Sequence, residues 1–224
     1  KNLTLSEITG GAYSAPQTLT LYETQTWVPI VNRTYGATVT VNRTIKSNTW
    51  STFVVPFDIP STMLDGWEIK ELTGSELVDE TIMLNFSDAK YGIKAGVPYM
   101  VRNASMTETL KTISMTNVNV NTTALNNVST DLVTFVGTYT NGYVPEGAYF
   151  ISGNKFYRAA DATNTMKGYR AYFTINENAG AKIKHTHKGQ HKNRVTFRIK
   201  KDETFMNVFR RFWNMVAKKT TYRV

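Results

Sequence analysis

The stretch NTWSTFVVPFDIP, from Asn48 to Pro60, restricts the fold of this chain more than any other. Successive side chains of an extended chain point to opposite faces, so residues of one parity share a face. Both parities are apolar or β-branched here, with Trp50, Thr52 and Val54 on one face and Phe53, Val55 and Phe57 on the other. This pattern is typical of a strand that is buried on both faces. Pro56 lacks an N–H, so it is predicted at a strand end, an edge or a bulge. We interpret the stretch as core rather than as a ligand site.

The chain before residue 176 is rich in strand and turn residues. The predicted strands are Gln17–Tyr22, Thr26–Val31, Ala37–Asn42, Thr52–Phe57, Trp67–Leu72, Glu80–Phe86, Pro98–Arg102, Lys111–Val120, Leu132–Tyr139, Gly147–Ser152, Lys155–Ala159 and Arg170–Ile175. The turn sequence SGN, at Ser152–Asn154, predicts a hairpin between two of them. Many short strands at regular spacing predict an all-β fold, an antiparallel β-sandwich of the jelly-roll or Ig-like kind, over residues 1–178.

The sequence VNRT occurs twice, at Val31–Thr34 and Val41–Thr44. Two copies are too few for a solenoid repeat. Either two adjacent strands carry similar exposed residues, or the recurrence is chance.

The charge of the chain is concentrated at its C-terminal end. Residues 1–181 hold 13 Lys and Arg against 15 Asp and Glu, a net charge of −2. Residues 182–224, called the basic tail here, hold 13 against 2, a net charge of +11. Binding to nucleic acid or to an anionic membrane is therefore predicted only for the basic tail.

Within this C-terminal part, residues 179–201 are predicted to be a basic linker with a possible strand at Arg194–Lys200. Residues 202–219 are predicted to form a basic amphipathic helix, because apolar residues recur on one helical face: Phe205, Val208, Phe209, Phe212 and Val216. The helix would lie on a membrane, pair with nucleic acid or dock its apolar face on the preceding domain.

Enzyme signatures are scarce. The chain has no cysteine, and its histidines (His185, His187 and His191) all lie in the basic tail, so residues 1–181 cannot form a Ser-His-Asp or Cys-His arrangement. Paired carboxylates of the glycosidase kind stay an open alternative. The histidine spacing could ligate zinc or copper, but the neighbouring lysines oppose a dication. No cofactor or metal is predicted.

Tyrosines are dense between Tyr139 and Tyr172, and most are interpreted as ordinary half-buried strand residues. A binding role is a second possibility, because exposed aromatic rings can stack on sugar rings. The candidate ligand-binding residues are Tyr143, Tyr149, Tyr157 and Arg170. For Arg170, inside an apolar strand, we expect an ion pair with Asp58 or Glu146.

Four segments in order carry a family resemblance. They are NTWSTFVVPFDIP, AGVPYMVRN (Ala95–Asn103), FVGTYTNGYVPEGAYFISGNKFYRA (Phe135–Ala159) and MKGYRAYFTI (Met166–Ile175). They resemble the W-N-T-x-x-x-P-F, G-x-P-Y, hairpin and G-x-R-A-Y-F segments of β-rich exported surface modules of Bacteroidetes. The resemblance covers about residues 20–178 and brings no catalytic residues with it.

This resemblance implies an extracellular or outer-surface location and a non-catalytic structural or adhesive role. Glycans or other surface proteins are the expected partners. A carbohydrate-active enzyme, or an accessory domain of one, is the alternative. A second alternative is binding to an anionic membrane or to nucleic acid through the basic tail.

Overall fold

The structure, a computed structural model, describes residues 18–78, 81–107, 109–161, 163–176 and 196–199. In these ranges the chain forms β-strands and a single 3₁₀ turn, Ser61–Met63. The strands are β1 (Thr18–Tyr22), β2 (Asn32–Ile45), β3 (Ser51–Phe53), β4 (Trp67–Val78), β5 (Thr81–Asp88), β6 (Tyr99–Asn103), β7 (Leu110–Asn121), β8 (Val128–Ser129), β9 (Val133–Thr138), β10 (Gly142–Tyr143), β11 (Tyr149–Ser152), β12 (Lys155–Arg158), β13 (Thr165–Met166), β14 (Arg170–Ile175) and β15 (Thr196–Ile199).

The strands form three sheets and one short pair. Sheet I has the order β1-β2-β7, sheet II β15-β5-β4-β6-β3 and sheet III β12-β11-β14-β9-β8, while β10 pairs with β13. Neighbouring strands are antiparallel except for β1 with β2 and β15 with β5, which are parallel. The predicted all-β fold is thus confirmed. The sequence predicted antiparallel pairing throughout, whereas the two edge strands β1 and β15 pair in parallel.

Sheet II supplies residues to both large hydrophobic clusters. Tyr99 and Val101 of β6 join the cluster that contains residues of sheet I, and Met100 joins the cluster that contains residues of sheet III. All five residues of β6 are buried. Because side chains alternate along a strand, sheet II has apolar residues on both of its faces.

This position explains the sequence from Asn48 to Pro60. Trp50 belongs to the cluster shared with sheet III, and Phe53 belongs to the cluster shared with sheet I. Every residue from Thr52 to Phe57 is buried, so the prediction that this stretch is core is confirmed. β3 ends at Phe53, which leaves Pro56 outside the strand, as its missing N–H requires.

The predicted strand Thr26–Val31 is wrong. Because β1 and β2 are parallel, the chain between them must return along the length of the strands, and this segment makes that return. Thr122 fixes the C-terminal end of this segment by two hydrogen bonds. The N–H of Val31 donates to Thr122 Oγ1 at 2.8 Å, and that hydroxyl donates to the carbonyl of Pro29 at 2.6 Å.

The structure contradicts the first interpretation of the VNRT repeat, that two adjacent strands carry similar exposed residues. The first copy begins one residue before β2 and the second lies inside it, so the copies do not occupy two adjacent strands. The second copy is not exposed either, because Val41 and Arg43 are both fully buried.

The predicted hairpin at Ser152–Asn154 is confirmed, because β11 and β12 pair across it with Ser152 opposite Lys155. Gly153 and Asn154 have positive φ angles of 55° and 62°, as a two-residue hairpin turn requires. Asn154 Oδ1 also accepts a hydrogen bond of 2.8 Å from the N–H of Trp50. The turn therefore connects sheet III to the start of β3.

Replacing Asn154 with alanine is expected to lower the free energy of unfolding by about 2 kcal/mol, because it removes this acceptor and places a Cβ-bearing residue at positive φ. Asn154→Gly keeps the backbone angle accessible and should cost about 1 kcal/mol. Urea unfolding of both variants measures the difference. Equal costs would mean that the backbone angle contributes nothing.

A strand in the predicted range Arg194–Lys200 is present as β15, paired with Thr81–Leu84 of β5. The predicted helix 202–219, the histidines and the remainder of the linker lie outside the described residues.

Candidate functional site

The two faces of sheet III carry different side chains at the β12-β11-β14 end. Tyr149 and Phe173 are paired across β11 and β14, and both are buried in the cluster shared with sheet II. Their chain neighbours Phe150 and Tyr172 point the other way and are half-buried. Tyr157 of β12 lies opposite Phe150. We call the surface formed by Phe150, Tyr157 and Tyr172 the aromatic face.

Phe150 and Tyr157 form a stacked pair on this face. Their ring centroids are 5.8 Å apart and their planes are inclined by 22°. Tyr157 remains 46% exposed. The stack restrains the ring of Tyr157 while leaving a large part of its surface open to solvent.

Tyr149, a predicted ligand-binding residue, does not reach this surface. It is only 6% exposed, and its ring packs in the core on the opposite face of the sheet from Tyr157. Burial raises the pKa of its phenol, against the opposing charge and hydrogen bond of Arg158. Strand alternation therefore places Tyr149 on the opposite face of the sheet from Tyr157, the other candidate residue of this hairpin.

Tyr143 lies in β10, opposite Thr165 of β13, and is 73% exposed. A small apolar cluster of Val144, Ala148 and Ala159 packs against Phe150, Met166 and Tyr172. The β10–β13 pair and its flanking loops thus cover part of the aromatic face. Tyr143 and Tyr157 remain the two exposed aromatic residues of this region.

The predicted ion pair of Arg170 exists, but its partner is neither Asp58 nor Glu146. Arg170 Nη2 donates to Glu23 Oε2 at 2.8 Å. Asp58 instead accepts from Lys94 Nζ at 2.9 Å and from the N–H of Ala95 at 2.8 Å. Glu23 directly follows β1, 147 residues before Arg170, so sequence proximity could not identify it.

Glu23 also contacts three other side chains. Its Oε1 accepts from Lys167 Nζ at 3.0 Å and from Thr44 Oγ1 at 2.9 Å, and Arg43 Nη1 lies 3.7 Å from its Oε2. Burial disfavours the charged carboxylate, but the bonds from Lys167 and Thr44 and the charges of Arg170 and Arg43 outweigh burial and lower its pKa. We call Glu23, Arg43, Lys167 and Arg170 the charged cluster.

Arg43 is the most buried member of the charged cluster. Its guanidinium donates to three backbone carbonyls, those of Tyr169 at 3.3 Å, Thr52 at 3.0 Å and Thr44. Burial and the charge of Arg170 lower its pKa to about 9, although Glu23 opposes that shift. At neutral pH the side chain is therefore still a cation.

Sequence reasoning missed both Glu23 and Arg43, although a signal was present. Glu23 has the parity of Leu21, and Arg43 has the parity of Val41. Leu21 and Val41 are partners in the parallel register of β1 and β2 and are fully buried. Continuing that alternation by one step brings the two charged residues side by side on the buried face.

Carboxylates that could act in the alternative, a glycosidase, form other contacts in the structure. Glu68 accepts two bonds from Arg102 Nη2, at 2.6 and 2.8 Å, and Asp88 lies 2.8 Å from Lys70 Nζ. Asp161 closes a local turn through Thr163 and Asn164. Across the described ranges, no group of three or more His, Cys, Asp or Glu could hold a metal ion.

In the same ranges, no helix has the length and apolar character that crossing a bilayer requires. No family model matches the chain, and no curated protein or solved structure matches it either.

Proposed function

We propose that this protein is a non-catalytic, exported cell-surface module with a structural or adhesive role, and that it binds glycans at the aromatic face. The observation that carries the proposal is the stacked Phe150–Tyr157 pair, with Tyr157 46% exposed. Tyr143, at 73% exposure, lies on the strand pair that covers part of the same face.

The arrangement suits a sugar chain. Tyr157 and Tyr172 are two strands apart, so the aromatic face extends about 10 Å across the sheet. An aromatic ring offers an apolar surface to the C–H face of a sugar, and a tyrosine hydroxyl offers a hydrogen bond at its edge. Arg170 is two residues from Tyr172 on the same parity, which places a polar group beside the rings.

The finer architecture belongs to the same proposal. We place the sheets in a jelly-roll or Ig-like sandwich, and the many short, mostly antiparallel strands support this placement. The basic tail, with its predicted helix at 202–219, is assigned a separate affinity for anionic membranes or nucleic acid.

A glycan array with the full chain tests the binding proposal, followed by titration of any hit. Tyr157→Ala and Tyr143→Ala should each weaken binding about fivefold to tenfold, because each removes apolar contact area worth about 1 kcal/mol. Tyr91→Ala is the matched control, because Tyr91 is an 83% exposed tyrosine in the loop between β5 and β6.

The control variant should bind like the wild type. The site assignment fails if Tyr91→Ala weakens binding as much as Tyr157→Ala does. The glycan-binding proposal itself fails if the wild type binds no glycan at millimolar concentration.

A further inference from the structure

The charged cluster has more positive than negative charge. Three cationic side chains, Arg43, Lys167 and Arg170, surround the single carboxylate of Glu23. One carboxylate balances one of these charges, and the cluster keeps a net charge of +2. Arg43 is 0% exposed and Glu23 only 6%, so solvent screens the inner part of the cluster poorly.

Lys167 and Arg170 are the more exposed cations of the cluster, and both have unused hydrogen-bond donors. Among the described residues, Glu23 is the one group to which Arg170 and Lys167 each donate a hydrogen bond. A guanidinium has five N–H donors and an ammonium has three. The side chain of Arg170 is 25% exposed and that of Lys167 is 51% exposed, so the unused donors can reach a ligand from solvent.

These donors lie close to the proposed glycan surface. Lys167 is two residues from Thr165, which is paired with Tyr143 across the β10–β13 sheet. Arg170 is two residues from Tyr172 of the aromatic face. Lys167 follows the end of β13, and two residues of chain span at most about 7 Å, so its side chain is within reach of an oligosaccharide that contacts Tyr143.

We propose that the glycan is acidic, and that its carboxylate or sulfate group binds to the solvent-facing donors of Lys167 and Arg170 that Glu23 does not use, while its ring contacts the aromatic side chains. This inference rests on the proposed glycan binding and specifies the class of ligand. An Arg fork pairs with two oxygens of a carboxylate or sulfate, and a charge-assisted bond is about twice as strong as a neutral one. Arg43 adds fixed positive charge behind the site, where it attracts an anion without contacting it.

The test compares three oligosaccharides of equal length by calorimetric titration of the full chain. They are an oligogalacturonide, its carboxyl-reduced neutral form and a sulfated galactan oligosaccharide. The wild type should bind at least one acidic form about tenfold more tightly than the neutral form. Whichever acidic form is preferred identifies the anionic group as carboxylate or sulfate.

Lys167→Gln should weaken binding of the acidic ligand about threefold to tenfold and leave the neutral ligand unchanged. Lys94→Gln is the matched control: Lys94 is also an exposed lysine paired with a carboxylate, Asp58, and it should change neither affinity. Arg170→Lys keeps the charge but removes the planar fork, so it should also weaken acidic binding. The basic tail is identical in all variants, so its contribution cancels.

The inference is overturned if the wild type binds neutral and acidic forms equally, which leaves glycan binding itself intact. It is also overturned if Lys94→Gln and Lys167→Gln reduce acidic binding alike, since general charge would then explain the preference. Absence of binding to all three ligands would reject the inference, whereas the proposed function would be rejected only if the glycan array also showed no binding.

Discussion

Replacing Glu23 with glutamine is expected to lower the free energy of unfolding by about 3 to 5 kcal/mol. The change removes the only carboxylate that contacts Arg43 and Arg170 among the described residues. Arg43 is fully buried, so its charge would remain in the interior with carbonyl partners alone. Breaking a buried pair from one side is costly because the other charge stays desolvated. Urea unfolding followed by tryptophan fluorescence measures the loss.

Asp58→Asn is the control for this variant. Asp58 also pairs with a lysine, but both side chains are more than half exposed, and an exposed pair contributes at most about 1 kcal/mol. The asparagine keeps an acceptor for the N–H of Ala95. A similar loss in the two variants would contradict the assignment of Glu23 as a buried centre of charge.

The same carboxylate predicts a pH dependence. The folded-state pKa of Glu23 lies below its ordinary value of 4.5. Its contribution to stability is therefore fully present above the unfolded pKa and is lost as pH falls through the lower folded pKa. The wild type should lose stability steeply on acidification below about pH 5, and Glu23→Gln should show a shallower slope. Some slope should persist, because Asp58 also has a lowered pKa. Identical slopes would show that Glu23 does not titrate in this range.

Gly168→Ala is expected to destabilise the protein by about 2 to 4 kcal/mol. A Cβ at this position would lie 2.4 Å from the carbonyl oxygen of Tyr139 and 2.9 Å from its carbonyl carbon. These are backbone atoms, so neither can move away as a flexible side chain would. Gly168 also donates its N–H to the carbonyl of Glu23 at 2.8 Å, so the displacement would reach the charged cluster.

The matched control is Gly142→Ala in the neighbouring strand β10, where an added Cβ meets nothing within 4 Å. It should cost less than about 1 kcal/mol. Thermal unfolding of the two variants separates the effect of the contact between the added Cβ and the Tyr139 backbone from the general effect of replacing a glycine. Equal stability of the two variants would mean that the backbone of Tyr139 can shift at little cost in free energy.

Much of the fold could be predicted because local pattern determines it. The apolar residues on both parities of the first motif are buried as predicted, although the strand there is Ser51–Phe53 and not Thr52–Phe57. The residues SGN required positive φ, and a hairpin turn occurs there. Those features depend on residues a few positions apart, and the period of two reports them directly.

What could not be predicted depends on partners far away in sequence. The parallel pairing of β1 with β2 required the intervening chain to run back, so a plausible strand pattern at Thr26–Val31 forms none. The partner of Arg170, which is in sheet III, is Glu23, which follows the first strand of sheet I. Tyr149 and Tyr157 have the same residue type, and only the register of β11 decides which of them is exposed.

The charged cluster also constrains the order in which the molecule can be completed. Glu23 can complete its contacts only after Lys167 and Arg170 have been synthesised, and these follow it by 144 and 147 residues. A nascent chain emerges from its N-terminus, so Glu23 and Arg43 are present long before Lys167 and Arg170 have been synthesised. Any fragment that stops short of β14 therefore holds an unfinished electrostatic centre, and the last step of assembly reaches back to the first strand.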